Sequence, residues 1–142
     1  EFTGGKLTKE DKTLPGVSLL KTLKNPNYNR PIYSEYQSFG FYTSAFMLRK
    51  GKYKYIYYCG ERPQLFDLKS DPLENNDLGE NPNYEEVRSL LEKELSSMVE
   101  YEKGDKEAVE AQKKIIDNMG GVEEFMKTFK PSLFSPIPDL TK

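Results

Sequence analysis

Between residues 31 and 68 apolar and polar positions alternate in short runs, the period-2 pattern of half-buried strands. In 31–36 (PIYSEY), Ile32, Ser34 and Tyr36 fall on one side and Tyr33 and Glu35 on the other. In 43–50, Phe46 and Leu48 share a face, and Lys50-Gly51 supplies a tight turn where glycine tolerates positive φ. The return run 52–59 puts Tyr53, Tyr55 and Tyr57 on one face and Lys54, Ile56 and Tyr58 on the other. After Cys59-Gly60-Glu61-Arg62-Pro63, the run 64–68 sets Leu65, Phe66 and Leu68 around Asp67. Short strands in immediate succession predict an antiparallel meander of four. The tyrosines are expected to cover the sheet with their hydroxyls at its wet edge.

From residue 83 the period changes. Tyr84, Val87, Leu91, Leu95 and Met98 recur at three- and four-residue steps, one helical stripe laid across a sheet face. Asn83 is the expected N-cap, with Glu85 and Glu86 in the first turn, and 102–105 (EKGD) the expected end. A second helix is predicted over 106–118 with Val109, Gln112, Ile115, Ile116 and Met119 along one side. Gly120-Gly121 stops it, and Val122, Phe125, Met126 and Phe129 form a further amphipathic turn. Near the start, Leu14-Pro15-Gly16 makes a turn before a short helix carrying Val17, Leu19, Leu20 and Leu23, which ends at Asn25-Pro26-Asn27. The tail from 130 carries Pro131, Pro136 and Pro138 among Leu133, Phe134, Ile137 and Leu140, which excludes a helix or a central strand. So many apolar residues are expected to pack on the body or on a partner. The fold class is α+β: a small antiparallel four-stranded sheet with C-terminal helices packed on one face. Residues 1–29 read as a connecting segment with a short helix, 30–101 as a sheet-plus-helix subdomain, and 102–142 as a helical extension and tail suited to oligomerisation or docking.

The stretch 64–79 (QLFDLKSDPLENNDLG) joins the two regimes. Asp67, Asp71, Pro72 and Glu74 form its structural corner. Asp71, Pro72 and Glu74 are expected at N-cap, N1 and N3 of a short helical turn, with Glu74 reaching back to the cap. Asn75, Asn76 and Asp77 offer side-chain turns before Leu78 re-enters the apolar layer.

The chain has 142 residues, 21 basic and 23 acidic, for a formal charge of −2. Mixed charges with an acidic balance argue against a nucleic-acid partner. The apolar runs are too short to span a membrane. Residues 1–13 are polar, and a chain opening at Glu1 is expected to be a fragment or a processed product. The single cysteine, Cys59, excludes an internal disulfide; with no histidine in the chain to act as base, it reads as a structural thiol. The connection 37–42 (QSFGFY) places a glycine between aromatics, so Tyr36, Phe39, Phe41 and Tyr42 are the candidates for a substrate-facing rim.

Leu65, Phe66, Asp67, Leu68, Asp71, Pro72, Glu74, Asn76 and Leu78 resemble the closing segment of the sulfatase family, whose usual form is close to "LYDL..DP.E..NL". Phe66 stands for the more usual Tyr, and Asp77 is inserted in the Asn-Leu pair. Residues 47–58 (MLRKGKYKYIYY) resemble the family's "R.g.yKyi" strand pair, 30–36 (RPIYSEY) the strand before it, and 15–20 (PGVSLL) its "dG.SL" element. The order and spacing agree over roughly 14–100. The looser match of Ala111-Gln112-Lys113-Lys114 and of the aromatic, proline-containing tail is similar to choline-sulfatase-like members.

The resemblance implies the C-terminal part of a formylglycine-dependent sulfatase, in the alkaline-phosphatase-like superfamily. That family hydrolyses sulfate esters with a formylglycine made from a C/S-x-P-x-R motif, beside a Ca²⁺ held by Asp and Asn. No such motif or cluster stands here, since Cys59 is followed by Gly-Glu-Arg-Pro. No catalytic or metal residue is therefore assigned, and Ca²⁺ and formylglycine are expected in a catalytic domain absent from this sequence. The implied partners are that catalytic domain and, through 122–142, a second subunit. The competing reading is a free-standing interaction module that binds through its tyrosine-rich sheet face.

Overall fold

The structure is a computed structural model that describes residues 4–6, 8–14, 18–25, 29–37 and 43–128. The chain forms two compact units, 1–30 and 31–142. In the first, the Asp11 carboxylate accepts hydrogen bonds from the Thr8 amide and hydroxyl, holding a short 3₁₀ turn at Asp11–Thr13. Helix α1 (Leu20–Lys24) follows, with Leu19 and Leu23 facing solvent. The turn expected at Pro15-Gly16, the position of Val17 and the stop at Pro26-Asn27 lie outside the described residues.

The second unit is built on four strands, β1 (Ile32–Tyr36), β2 (Ala45–Lys50), β3 (Tyr53–Tyr58) and β4 (Gln64–Asp67), in the order β1-β2-β3-β4. All neighbours are antiparallel, which is the meander predicted from the alternation. Gly51 takes φ 58° at the β2–β3 turn. Cross-strand pairing sorts the side chains into two faces. Tyr33, Leu48, Tyr55 and Leu65 form one row, and Glu35, Phe46 and Tyr57 lie beside it on the same face. Helix α2 (Glu85–Ser96) lies against β2 and β3 on that face.

The core is Phe46, Leu48, Tyr55, Leu65, Leu78, Leu91, Leu95 and Tyr101, with Tyr84, Val87 and Val99 packed around it. The helical stripe read from the sequence is therefore the buried one, except that α2 stops at Ser96 and leaves Met98 exposed. An ion pair of Lys50 with Glu94, at 2.6 Å, fastens the same helix to the end of β2.

Several local expectations are corrected. The cap before α2 is Asn81, whose side chain accepts from the Asn83 amide across a 3₁₀ turn, Pro82–Tyr84. Pro82 at the first position needs no amide partner, which moves the cap two residues upstream of Asn83. The expected helix end at 102–105 is instead the first turn of α3 (Tyr101–Asn118). Gly104 sits there because a Cβ would lie 3.1 Å from the Gln37 amide nitrogen and 3.3 Å from the Phe46 ring. It is a close-approach glycine inside a helix and not a stop. Tyr101 stacks on Tyr57 at 4.0 Å and tilts against Phe46 at 5.4 Å, while Asp105 accepts the Ser44 amide, so only the start of α3 is seated on the sheet.

Gly120 and Gly121 end α3 with φ of 94° and 89°, and their amides return to Asp117 and Ile116. Helix α4 (Val122–Thr128) then buries Phe125. Phe129 and the tail lie outside the described residues.

The tyrosine hydroxyls do not all reach the wet edge. Tyr55 is fully buried, and its hydroxyl has no hydrogen-bond partner among the described residues. Burial first, and then the charge of Glu92, push its pKa upward. An orphaned buried hydroxyl carries a desolvation cost of about 1–3 kcal/mol. Tyr55→Phe is therefore expected to hold or raise the unfolding midpoint in urea, and a clear drop would show that the hydroxyl has a stabilising partner. Leu91→Asp is expected to cost more than about 3 kcal/mol, through lost burial and an unpaired interior charge. Leu90→Asp on the exposed side of α2 should stay within about 0.5 kcal/mol.

Candidate functional site

The corner after β4 is a dense hydrogen-bonded structure. The buried Asp67 carboxylate accepts from Lys52 at 2.6 Å and from the Lys69 amide at 3.1 Å, while the Asp67 carbonyl accepts the Ser70 and Asp71 amides. The lysine bond, opposed by burial and aided by the Lys69 amide, holds the Asp67 carboxyl below its ordinary 3.8. The same bond raises the Lys52 ammonium.

Beyond it the expected helical turn is absent. Asp71, Pro72, Leu73 and Glu74 close a β-turn, with the Glu74 amide donating to the Asp71 carbonyl at 3.2 Å. The Asp71 carboxylate receives the amides of Asn75 and Asn76, further along the chain than a helix cap would reach. Glu74 takes φ 57°, which ends any right-handed run, and its side chain goes to Lys54 at 2.6 Å and not back to the cap.

The corner then covers the free edge of the sheet. The Leu65 amide donates to the Asp77 carboxylate, and the Leu78 amide returns to the Leu65 carbonyl. Gly79 is required next, since a Cβ there would stand 2.2 Å from the Pro63 carbonyl oxygen. Arg88 of α2 donates to the Gly79 carbonyl and links this edge to the helix.

The rim candidates lie elsewhere. Tyr36 ends β1, 50% exposed, beside Ala45 and Tyr58. Asp67 pairs with Tyr53 at the other end of the far edge strand, so rim and corner occupy diagonally opposite ends of the sheet. Phe39, Phe41 and Tyr42 lie outside the described residues. Next to the end of β1 opens a cleft of about 560 Å³ between Glu35 and Gln37 and the α2–α3 junction, lined there by Ser97, Glu100, Lys103 and Glu107. Alternation alone gave no hint of this cleft, because the α2–α3 junction that forms one wall was read as continuous helix.

Cys59 hydrogen-bonds the Tyr101 carbonyl at 3.7 Å, and burial, with the charges of Asp105 and Glu102, pushes its thiol up to about 11. It stays protonated at neutral pH. Among the described residues no group of three His, Cys, Asp or Glu side chains is placed to hold a metal ion. No helix is long and apolar enough to cross a membrane, again among the described residues.

A depressed carboxylate pKa stabilises the fold above its unfolded value, and that contribution disappears as pH falls through the folded value. The stability gap between the native chain and Asp67→Asn is thus expected to be constant through neutral pH and to shrink below about pH 4. Urea midpoints at several pH values measure it. A gap that persists unchanged to the acid limit would assign the effect to packing and not to the Lys52 bond.

Comparison with known proteins gives consistent results. Residues 8–101 match the family described as N-sulphoglucosamine sulphohydrolase, C-terminal. The chain is 40% identical over 67 residues to the choline-sulfatase of Rhizobium meliloti (strain 1021), covering 47% of this chain and 13% of that protein. It is 37% identical over 102 residues to arylsulfatase K of Mus musculus, covering 63% of this chain and 18% of that protein. Among solved structures, BT4656 in complex with its substrate D-glucosamine-2-N,6-O-disulfate shares the fold. Its TM-score is 0.54 at 20% identity, over 68% of this chain and 21% of that one. The chain spans less than a fifth of the length of these curated relatives.

Proposed function

The chain belongs to the sulfatase family as its C-terminal domain, and from that premise we propose that it supports a catalytic domain which supplies the chemistry. The observation that carries this reading is the corner after β4. Its Asp67, Asp71 and Glu74 carboxylates are engaged by the fold itself, in the Lys52 and Lys54 ion pairs and the bonds from the amides of Lys69, Asn75 and Asn76. Groups engaged in this way support a structural role for the corner.

The chain's own contributions are then three. It braces the catalytic domain, it offers Tyr36, with Phe39, Phe41 and Tyr42, to the rim of a substrate pocket, and through 122–142 it meets a second subunit. The exposure of Tyr36 at the end of β1 supports the rim role. Open apolar side chains on the extension, Ile115, Met119, Val122 and Met126, support the subunit contact. Formylglycine and Ca²⁺ belong to the catalytic domain in this reading.

The test is a sulfatase assay, with 4-nitrophenyl sulfate and then choline sulfate, on this chain and on the polypeptide its gene encodes. Activity is expected only where a C/S-x-P-x-R motif is present. Turnover by the 142-residue chain itself would overturn the proposal. Turnover by neither would shift weight to a non-catalytic interaction module.

A further inference from the structure

Tyr36, at the end of β1, belongs to a cross-strand row with Ala45 and Tyr58. Its strand has little to hold it. β1 is an edge strand, all five of its residues are exposed, and α2 lies against β2 and β3. The end of an edge strand held by a single ladder is among the first parts of a sheet to open.

The residues that flank this row all meet one turn of helix. Gln37 follows Tyr36, Ser44 precedes Ala45, and Tyr57 and Cys59 stand on either side of Tyr58. The Gln37 amide nitrogen would lie 3.1 Å from a Cβ at Gly104, in the first turn of α3. The Asp105 carboxylate accepts the Ser44 amide at 3.0 Å, from 61 residues away. The Tyr57 ring stacks on Tyr101, and the Cys59 thiol meets the Tyr101 carbonyl. The hold is passed between strands, because the Cys59 amide donates to the Ser44 carbonyl at 3.3 Å and the Thr43 hydroxyl to the Cys59 carbonyl at 2.6 Å. Tyr101, Gly104 and Asp105 are three and four residues apart and share one face of α3.

We propose that Asp105 and Gly104 are positioning residues for the substrate rim, holding the end of the sheet at which Tyr36 meets a sulfate ester. The proposal deepens the rim reading above and rests on it. Asp105 touches no substrate in this account; it acts through Tyr36. Two local oddities then have one cause. A glycine weakens the helix it stands in, and here it lets α3 descend onto Gln37 and the Phe46 ring. A half-buried carboxylate serves a strand amide, a stronger bond than a neutral acceptor would make.

Steady-state kinetics of the full-length polypeptide, with 4-nitrophenyl sulfate and choline sulfate, test the proposal. Asp105→Ala is expected to raise KM about tenfold and to leave kcat within about twofold of native. Asp105→Asn keeps an acceptor oxygen for the Ser44 amide and should return KM to within about threefold of native. Gly104→Ala should raise KM as well, whereas Glu110→Ala, exposed on α3, should not. In a Tyr36→Ala background, Asp105→Ala should add less than about twofold, since the two act through one contact. Native KM in Asp105→Ala, beside a raised KM in Tyr36→Ala, would overturn the positioning role and leave the rim standing. Full additivity of the two would do the same. A fall of kcat and urea midpoint together in Asp105→Ala, unrepaired in Asp105→Asn, would make the contact merely structural and overturn the proposal. Native KM in Tyr36→Ala, or no turnover of either ester by the native polypeptide, would overturn the rim reading and this proposal with it.

Discussion

Lys50 pairs with Tyr53 across Gly51-Lys52, and the rest of the sheet depends on that register. Because side chains alternate, a slip of one residue would exchange the faces of β3 and send Lys54, Ile56 and Tyr58 toward α2. In the observed register Tyr55 meets Leu48 and Leu65 beneath the helix, and Tyr57 becomes the platform for Tyr101. Lys52, in the turn itself, reaches the buried Asp67 carboxylate. The hairpin therefore fixes three things at once: the roofed face, the landing point of α3 and the counter-charge of the corner.

This dependence explains what was legible beforehand. Strand number and order were readable because short runs with period-2 character follow one another between 31 and 68, broken by Gly- and Pro-bearing connections, even though Leu65 and Phe66 are buried side by side. The stripe from Tyr84 to Leu95 was readable because one face of an amphipathic helix has one place to go. The misreadings share a cause. Gly104, Asn83 and the Asp71-Pro72-Glu74 triplet were assigned by local propensity, and at each a longer-range contact wins. Phe46 and Gln37 need the space that Gly104 leaves, Pro82 transfers the cap to Asn81, and Lys54 draws Glu74 away from the backbone. Local signals mark where the chain turns, but the partner that decides how it turns is distant in sequence.

The candidate site was legible in a narrower sense. Motif spacing identified the corner and its family, yet the same carboxylates that carry the resemblance are occupied by lysines and backbone amides. A motif can thus persist for structural reasons in an enzyme family. Asp67 closes the end of the hairpin, and Asp77 and Leu78 cap the strand edge that would otherwise be open to another chain. Only Tyr36 of the rim candidates falls among described residues, and it stands at the opposite end of the sheet from that corner.

The two ends of the sheet therefore divide the labour. At the corner end, Lys50, Lys52 and Lys54 are paired with Glu94, Asp67 and Glu74, and the edge of β4 is covered. At the β1 exit, aromatic and aliphatic groups stay open beside a cleft walled by Glu35, Glu100 and Glu107. A domain that carried its own chemistry would be expected to gather perturbed, unsatisfied polar groups in a concavity. Here the Asp67 carboxylate, whose pKa is lowered, is held by Lys52 and the Lys69 amide, and burial raises the Cys59 thiol. Ion pairs are concentrated at one end of the sheet, and the exposed Tyr36 lies at the other. That division accords with the supporting role proposed above.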